Sequence, residues 1–466
     1  MTDTLMVGVS GVRGIVGKDL TADVVTQWAR AFGLWLREGT SAGGPGPGTS
    51  VVLGRDARTS GPMFAAAVTA GLRSVGCDVI DIGLVPTPTV QLAVEHHRSG
   101  GGIAITASHN PIEWNALKFI GPDGIFLDGI DGARVQKLVA EDGQGQGGTG
   151  KVTRDEGAVE RHLDAVLRLP AVDVERIRKR KFTVALDAVR GAGGPVMRTL
   201  LERLGCEVAG INLETDGHFP RAPEPIPENL GGLSTLVTRA GAALGLAVDP
   251  DVDRLAIVDE TATPIGEDYT LAFAVRAVLG GPADGGTGGR KTQSPVVCNL
   301  STSLVVEDAA RECGAEVVRT PVGEVHVART LVRLGAAIGG EGNGGVMYPP
   351  LHAGRDAPVA AALLLTLLAR DGKRVSELVA AAPRYAIVKA KAARGPELEP
   401  VYAALRRRFG DAQVDTQDGL RLAWRDRWLH VRPSNTEPII RLIAEAPTRA
   451  AAEQLVDEGR RLCAAS

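Results

Sequence analysis

The chain of 466 residues is poor in cysteine and in aromatic residues, and it carries no large excess of either charge. Its five cysteines are an odd number and include no C-x-x-C pair, so we expect neither a disulfide framework nor a zinc knuckle. Aromatic residues make up 4% of the chain, which disfavours a stacking surface for single-stranded nucleic acid. The net charge of −3 provides no overall attraction to nucleic acid or to an anionic membrane. Any anion site is therefore expected to be local.

The sequence also lacks a long apolar segment. The longest apolar run covers residues 357–369 and is interrupted by Pro358 and Thr366, so it is too short to span a bilayer. The first ten residues lack the basic and apolar segments of a signal peptide. We expect a cytoplasmic protein that binds neither membrane nor nucleic acid.

What the sequence does contain is an internal repeat. Apolar residues are 44% of the chain and charged residues 23%, as in globular proteins of several domains. One pattern occurs three times: an apolar strand, a turn, an amphipathic helix, a glycine and a second strand. The glycines are Gly76, Gly205 and Gly314, each followed by Cys or Ala, an acid and Val. Because short strands alternate with helices, the repeat predicts α/β units with mostly parallel sheets.

Glycine-rich polar stretches separate the units. Residues 141–150 have the composition of a flexible linker, and residues 280–294 that of a long surface loop inside the third unit. The tail differs, with an antiparallel hairpin in GLRLAWRD–RWLHVRPS and a final helix. We predict units at residues 1–150, 151–260, 261–373 and 374–466.

The first candidate chemical motif is TASHNP, at residues 106–111. It follows the apolar GGIAI, so Ser108 is expected on a turn that leaves a buried strand, where its side chain can project into a cleft. A Ser/Thr turn or a helix cap is the simpler interpretation of this motif alone. No G-x-S-x-G elbow occurs in the chain, which gives no support to an esterase triad.

The densest acidic segment is DPDVDR, with Asp249, Asp251 and Asp253 at alternate positions. Three carboxylates so close together repel one another, and Mg²⁺ prefers such ligands together with phosphate oxygens. An EF-hand is disfavoured because Arg254 occupies the place of the required glycine. A D-x-D phosphatase with an aspartate nucleophile and a solvated acidic turn remain alternatives.

Three further loops carry polar groups beside glycine or proline. The segment GVSGVRGIVGKD contains Arg13 and matches neither a P-loop nor a Rossmann fingerprint. The segment GEGNGG presents Glu341 and Asn343, which suit the recognition of sugar hydroxyls. The segment RPSNTEP combines a guanidinium, hydroxyls, an amide and turn N–H groups, which suit a phosphate. Each of these alone is also compatible with an ordinary turn, which is the simpler interpretation of RPSNTEP by itself.

Taken together, TASHNP provides a hydroxyl and DPDVDR provides carboxylates that can bind a metal. GEGNGG provides a loop that can recognise a sugar (the sugar-reading loop), and RPSNTEP provides a site for a phosphate (the phosphate cradle). Four of them fall at strand ends in successive units, where α/β folds bind ligands. This combination favours phosphoryl transfer on a phosphosugar.

With these motifs in order, the sequence resembles the α-D-phosphohexomutase family over its whole length. TASHNP, DPDVDR, GEGNGG and RPSNTEP are similar to the family's four signature loops. The resemblance implies a four-domain α/β fold: three similar α/β domains with mixed, mostly parallel sheets, and a smaller α+β C-terminal domain.

The resemblance also implies roles for individual residues. Ser108 corresponds to the phosphoserine and contributes a phosphate oxygen to the metal, which Asp249, Asp251 and Asp253 bind. The other residues implied in catalysis are Arg13, His109, Lys118 (in NALKFI) and Arg254. Those implied in substrate binding are His326, Glu341, Asn343, Arg432, Ser434, Asn435 and Thr436.

The implied activity interconverts hexose 6-phosphate and hexose 1-phosphate. The cofactors are one Mg²⁺ per chain and a hexose 1,6-bisphosphate activator, and the protein is expected as a monomer or homodimer. GEGNGG differs from the GEQSGH-like and GEMSGH loops of other members. We favour glucosamine phosphate as substrate, with a phosphomannomutase/phosphoglucomutase as the alternative. A Mg²⁺-dependent sugar phosphatase and a silent sugar-phosphate binder are the more distant alternatives.

Overall fold

A computed structural model describes residues 5–41, 49–141, 149–280, 294–393, 397–434 and 439–464. Most of the predicted linker (142–148) and most of the predicted surface loop (281–293) lie outside these residues, as do Asn435 and Thr436. The described chain forms four sheets that follow one another along the sequence.

A seven-stranded mixed sheet forms the first unit. Its elements are β1 (Met6–Gly8), β2 (Gly11–Ile15), α1 (Ala22–Ser41), β3 (Ser50–Arg55), α2 (Gly61–Ser74), β4 (Asp78–Leu84), α3 (Thr87–His97), β5 (Gly101–Ile105), β6 (Trp114–Ile120), α4 (Gly129–Ala140) and β7 (Val152–Arg154). The strand order is β1-β2-β6-β5-β3-β4-β7, with β5, β3, β4 and β7 parallel. The sheet takes its last strand from just beyond residue 150.

The second unit contains a four-stranded sheet. Its elements are α5 (Ala158–Leu167), α6 (Val174–Arg180), β8 (Thr183–Asp187), α7 (Gly193–Arg203), β9 (Glu207–Ile211), α8 (Gly231–Ala240), β10 (Leu244–Val248) and β11 (Leu255–Val258). The strand order is β11-β10-β8-β9, in which β11 alone is antiparallel to its neighbour.

The third unit contains five strands. Its elements are α9 (Asp268–Leu279), β12 (Val296–Asn299), α10 (Leu304–Glu312), β13 (Val317–Thr320), α11 (Glu324–Leu334), β14 (Ile338–Glu341), β15 (Gly345–Tyr348), β16 (His352–Arg355), α12 (Ala357–Asp371) and α13 (Val375–Ala380). The strand order is β13-β12-β14-β15-β16, and β13, β12 and β14 run parallel.

The repeat predicted from the sequence is confirmed in all three units. Helices α2, α7 and α10 each connect two parallel strands, namely β3 to β4, β8 to β9 and β12 to β13. After each helix, Gly76, Gly205 and Gly314 have φ angles of +78°, +77° and +73°. A glycine accepts this left-handed conformation without steric cost, so it ends the helix and turns the chain into the next strand.

The tail forms a different, fully antiparallel sheet. Its elements are β17 (Ala386–Ala393), α14 (Glu399–Arg408), β18 (Gln413–Asp415), β19 (Leu420–Ala423), β20 (Trp428–Pro433), β21 (Ile439–Ala446) and α15 (Arg449–Ala464). The strand order is β17-β21-β20-β19-β18. The pairing of β19 with β20 and the helix α15 confirm the predicted hairpin and final helix.

The apolar run of residues 357–369 forms an interior helix. All of these residues are buried within α12, in one apolar core that joins the second and third units. In the described residues, no helix combines the length and the apolar character needed to cross a membrane. The five cysteines are free thiols.

Polar contacts fix the fourth unit against the third. Ser301 Oγ lies 2.8 Å from His430 Nδ1. The Glu445 carboxylate accepts hydrogen bonds from the Leu304 N–H (2.8 Å) and from Trp428 Nε1 (2.7 Å). Glu445 is completely buried, so its hydrogen bonds replace water at this boundary.

Three predicted functional loops occupy the same topological place in their units. In each unit a central strand is followed by an antiparallel neighbour: β5 by β6, β10 by β11, and β14 by β15. The three connections carry Ser108, the aspartates of DPDVDR, and Asn343, which follows Glu341 at the end of β14. The repeated topology therefore brings each unit's chemistry to the carboxyl end of an equivalent strand.

Candidate active site

Ser108 lies on the connection between β5 and β6, with its hydroxyl turned into the protein. The preceding strand is completely buried, and Ser108 itself is 2% exposed. Its backbone is left-handed, with φ of +47°, which is uncommon for a residue with a side chain and costs local strain. Ser108 Oγ donates a hydrogen bond to Asp249 Oδ2 over 2.7 Å. The predicted nucleophile and the predicted metal loop are therefore in direct contact.

The three aspartates converge because their loop is tightly curled. Asp249, Asp251 and Asp253 are buried, and each offers an oxygen within 4.8 Å of the others. Between them, Val252 has a φ of +62°, which a β-branched residue adopts only under strain. This turn prevents the segment from continuing as an extended strand and directs the carboxylates toward one point.

The aspartate cluster fits a magnesium ion. The Oδ1 atoms of Asp251 and Asp253 are buried and have no hydrogen-bond partner among the described residues. Burial raises the pKa of Asp249, and the charges of Asp253 and Asp251 raise it further. A divalent cation would relieve this repulsion and occupy the unused oxygens, which are the hard ligands that Mg²⁺ prefers.

Lys118 borders the aspartate cluster from β6. Its Nζ lies 2.7 Å from Asp251 Oδ2 and 3.6 Å from Asp253 Oδ2. Burial alone would lower the pKa of Lys118, but the two carboxylates outweigh it and raise the pKa above its usual value. Thr87 Oγ1 also donates to Asp251 Oδ2, over 2.7 Å. Lys118 is therefore a cation and holds a proton that it can donate.

Arg13 and His109 lie beside the serine loop. The Arg13 guanidinium donates to Asn110 Oδ1 over 2.6 Å. His109 Nδ1 lies 3.4 Å from Ser108 Oγ. Burial lowers the pKa of His109 to about 2, helped by the charges of Arg254 and Arg13. His109 is therefore neutral and adds no charge to the site at physiological pH.

Arg254 ends the aspartate loop and is only 8% exposed. Its guanidinium lies 3.6 Å from Asp253 Oδ1 and 3.6 Å from Glu224 Oε1. Its buried Nε has no hydrogen-bond partner among the described residues. Arg254 therefore has an unused donor at the edge of the cluster.

The sugar-reading loop presents a fixed carboxylate. Glu341 ends β14, and its Oε1 accepts from Asn299 Nδ2 over 2.8 Å. Asn343 lies in the following turn, 3.4 Å from Glu341 Oε2. Burial would raise the pKa of Glu341, but Arg355 and Asn299 lower it below its usual value. Glu341 is therefore ionised and oriented before any ligand binds.

The sequence reasoning missed Arg355, which links this loop to the metal loop. Its guanidinium donates to Asp253 Oδ2 over 2.5 Å and to Glu341 Oε2 over 2.8 Å. A Cβ added to Gly345 would lie 2.2 Å from Arg355 Cδ, so the last glycine of GEGNGG leaves room for this arginine. No local sequence pattern at the end of β16 distinguishes Arg355 from an ordinary turn residue.

Glu324 was also missed, although it lies only two residues before the candidate His326. Glu324 Oε2 is 3.1 Å from Arg355 Nε, and the side chain is 9% exposed. His326 is exposed on α11, and in the described chain no hydrogen bond or ion pair joins it to the other predicted residues. Helical periodicity turns the two residues to different sides, so the predicted substrate contact of His326 stays a prediction.

The phosphate cradle of the tail is described in part. Arg432 lies at the end of β20, with its guanidinium 3.7 Å from Asp418 Oδ2. Burial lowers the pKa of Arg432, while the charges of Asp418 and Glu341 act in the opposite direction. Ser434 is buried, and its N–H donates to the Ile439 carbonyl. Arg432 thus lies within electrostatic reach of the sugar-reading loop.

The assembled site combines a buried hydroxyl, an acidic cluster and several cations. The hydroxyl can form and break a bond to phosphorus, and the acidic cluster can hold a cation against the negative charge of the phosphoryl group. Such preorganised charges are the main source of catalysis in phosphoryl transfer.

Comparison with known proteins identifies the same four units. Family models described as phosphoglucomutase/phosphomannomutase domains I, II and III match residues 4–145, 160–263 and 267–385. The model described as the C-terminal domain of this family matches residues 387–462.

Relatives align over nearly the whole chain. A phosphoglucomutase/phosphomannomutase of Thermococcus kodakarensis is 38% identical over 98% of this chain and 97% of its own length. A probable phosphoglucosamine mutase of Methanopyrus kandleri is 38% identical, over 97% of this chain and 96% of its own length. A crystal structure of a phosphoglucomutase/phosphomannomutase family protein from Burkholderia thailandensis has a TM-score of 0.84 and 29% identity, covering 99% of this chain and 97% of that one.

Proposed function

The chain belongs to the phosphoglucomutase/phosphomannomutase family and is a phosphohexomutase, and on this premise we propose that it interconverts glucosamine 6-phosphate and glucosamine 1-phosphate. The observation that carries the proposal is the contact of Ser108 Oγ with Asp249, within a cluster of three buried aspartates. This arrangement suits a serine that carries a phosphoryl group beside a divalent cation.

The proposed reaction consists of two phosphoryl transfers. In the first, the free sugar hydroxyl attacks the phosphorus of phosphorylated Ser108, the P–Oγ bond breaks, the hydroxyl proton passes by way of Lys118 to Ser108 Oγ, and a hexose 1,6-bisphosphate forms. The bisphosphate then reorients in the cleft. In the second transfer, Ser108 Oγ attacks the other phosphate, and the bond between that phosphorus and the sugar oxygen breaks. The Ser108 proton returns by way of Lys118 to the sugar oxygen, and the product leaves with its phosphate at the opposite carbon. No phosphate is released to water, so the total of phosphate esters is conserved.

The charged residues have distinct proposed roles. Asp249, Asp251 and Asp253 would hold one Mg²⁺, which when bound supplies positive charge to the oxygens of the transferring phosphoryl group. The Lys118 ammonium, held by Asp251 and Asp253, donates the proton that Ser108 Oγ takes up when its phosphoryl group leaves. Arg13, Arg254 and the neutral His109 complete the surroundings of the phosphoryl group.

The substrate preference rests on the charge of the sugar side. Asp253, Glu324 and Glu341 share the single guanidinium of Arg355. With Asp253 committed to the metal, Glu341 remains an ionised carboxylate, oriented by Arg355 and Asn299, that can pair with the ammonium of an amino sugar. Relatives named as phosphoglucosamine mutases agree with this preference. Arg432, Ser434, Asn435 and Thr436 would hold the phosphate that is not reacting.

A broad phosphomannomutase/phosphoglucomutase is the second candidate. It is favoured by the Thermococcus kodakarensis relative, whose name covers both of these activities and whose identity to this chain is 38%. Neutral sugars would use the same Glu341 as a hydroxyl acceptor without an ionic contact.

A product assay by ³¹P NMR tests both candidates. The full chain is incubated with Mg²⁺ and a trace of glucose 1,6-bisphosphate, and the 6-phosphates of glucosamine, mannose, glucose and N-acetylglucosamine are supplied separately. Fastest conversion of glucosamine 6-phosphate to its 1-phosphate supports the proposal. Equal or faster conversion of mannose or glucose phosphates favours the second candidate. Release of inorganic phosphate instead of isomerisation overturns both and indicates a phosphatase.

A further inference from the structure

Arg58 is a completely buried arginine that the proposed chemistry does not use. It lies after β3, and its guanidinium donates hydrogen bonds to four backbone carbonyls, three in the connection between β5 and β6 and one at the first residue of β6. The accepting oxygens belong to Ser108 (2.6 Å), Asn110 (2.6 Å), Pro111 (2.7 Å) and Trp114 (2.8 Å). A single side chain thus holds most of the connection that carries the nucleophile.

The Ser108 backbone is held on its other side as well. The Ser108 N–H donates to Thr106 Oγ1 over 2.9 Å, and Thr106 Oγ1 donates to Asp56 Oδ2 over 2.6 Å. Arg58 Nε donates to the same Asp56 oxygen over 3.1 Å. The network therefore closes on itself through Asp56, and it holds both the N–H and the carbonyl of Ser108.

The second unit shields the network from water. The Arg58 guanidinium carbon lies 5.1 Å from the centre of the Phe219 ring, on a loop of that unit. Because these hydrogen bonds are buried and involve a charged donor, they are short and resist displacement. They hold Ser108 in its strained left-handed conformation, which would otherwise relax to a more common backbone conformation.

We infer that Arg58 is a positioning residue for the nucleophile: together with Asp56 and Thr106, it holds Ser108 in the left-handed conformation that turns Oγ toward the aspartate cluster. The inference rests on the proposed function for its catalytic consequence. Phosphoryl transfer needs the attacking and leaving oxygens in line with phosphorus, so a small displacement of Oγ lowers the rate of transfer. The residues proposed to bind the sugar lie in the third and fourth units, so we expect sugar binding to be left intact.

One variant of Arg58 and a pair of Thr106 variants test the inference. Arg58→Lys keeps the positive charge, but the single nitrogen of lysine cannot reach four carbonyls. In the pair, Thr106→Val removes the hydroxyl at nearly constant volume and Thr106→Ser keeps it. Arg276→Met is the control, since Arg276 forms an ion pair with Glu312 far from Ser108 in the sequence and outside the site. Circular dichroism and a magnesium-dependent rise of Tm report whether each variant is folded.

The expected result separates kcat from KM. For Arg58→Lys and Thr106→Val we expect kcat, and the rate at which glucose 1,6-bisphosphate phosphorylates Ser108, to fall about 100-fold, with KM within about threefold. Thr106→Ser and Arg276→Met should keep the wild-type kcat. Hydrogen exchange of the segment 106–116 should accelerate in the first two variants only.

Two results would overturn the inference. One is unchanged hydrogen exchange of segment 106–116 in folded Arg58→Lys. The other is faster exchange with wild-type rates of Ser108 phosphorylation, which would leave Arg58 with a purely structural role. Failure of the proposed function would be a different result: the wild-type protein itself would take no phosphoryl group from glucose 1,6-bisphosphate.

Discussion

Ser108 and Asp249 are 141 positions apart in the sequence, and their side chains are joined by a 2.7 Å hydrogen bond. One belongs to the first sheet and the other to the second, and both lie on connections from a central strand to an antiparallel neighbour. The site is therefore assembled by packing equivalent edges of repeated units against one another.

Replacement of Ser108 by alanine should abolish mutase turnover and keep the fold. The hydroxyl is the only group removed, and the lost hydrogen bond to Asp249 costs about 1 kcal/mol of stability. We expect kcat to fall at least about 1,000-fold, because no phosphoryl carrier remains. The measurement is the ³¹P NMR assay, with Tm in the presence and absence of Mg²⁺ as the control for folding. Wild-type turnover would remove Ser108 from its role.

Replacement of Asp251 by asparagine should reduce the stabilisation of the protein by magnesium. A ligand at 100 times its Kd stabilises a folded protein by about 2.7 kcal/mol, and loss of a charged ligand oxygen reduces this gain. Calorimetry with and without Mg²⁺ measures the effect. Asp216→Asn, which alters an exposed aspartate paired with Arg190, is the matched control and should respond as the wild type does. An equal response of the Asp251 variant would contradict a metal site in this loop.

Replacement of Arg355 by methionine should be strongly destabilising. It leaves Asp253, Glu324 and Glu341 buried without their shared cation, and removing one partner of a buried ion pair costs about 3–5 kcal/mol. In the double variant with Glu341→Gln, the cost should be less than the sum of the two single costs, because the two side chains are in contact. Urea unfolding measures each value. Additive costs would show that Arg355 and Glu341 do not interact.

The arginine variant has a second readout and its own control. Arg276→Met, which removes an ion pair whose Glu312 partner is half-exposed, should cost less than the Arg355 variant, because Glu312 stays in contact with water. Where the Arg355 variant remains folded, KM for the sugar phosphate should rise, since Glu341 is no longer held by a fixed donor.

Stability should fall with rising pH through Asp268, at the boundary with the fourth unit. Burial raises the pKa of Asp268 to about 8. The charges of Glu445 and Glu267 also raise it, and the charge of Lys389 lowers it. The unfolded carboxyl ionises near 3.8, so between these pH values the folded state binds the extra proton and loses stability as the pH rises. The slope is at most roughly 1.4 kcal/mol per pH unit.

The variant Asp268→Asn isolates this contribution. Its unfolding free energy relative to the wild type should increase between about pH 4 and pH 8 and level off above that range, as measured by urea unfolding across pH. Asp216→Asn should show no such increase. Arg190 lowers the pKa of the wild-type Asp216, so the contribution of Asp216 to stability is lost only as the pH falls. A constant difference for Asp268→Asn would contradict a raised pKa.

The loops of the site could be predicted from the sequence because each is a local pattern. Apolar strands followed by polar turns indicate where Ser108, the three aspartates and Glu341 leave the sheets, and helix-ending glycines indicate the repeat. The hairpin and last helix of the tail follow from alternation and periodicity in the same way.

Arg58, Glu324 and Arg355 could not be predicted in this way. Each lies in a short segment whose local pattern fits an ordinary turn or helix end, and each acquires its role from partners in another segment. Arg58 donates to carbonyls 50–56 positions away, and Arg355 contacts Asp253 at a separation of 102 positions. No periodicity extends over such distances.

The sequence by itself thus determined the α/β class, the three repeated units, the distinct tail and the chemical character of each loop, because these depend on local propensity and spacing. Only the tertiary structure decided which charges share a partner, which side of α11 faces the site, and how the backbone of Ser108 is held. Those relationships arise when whole units pack together, since a buried charge must find its partner wherever the fold brings one within reach.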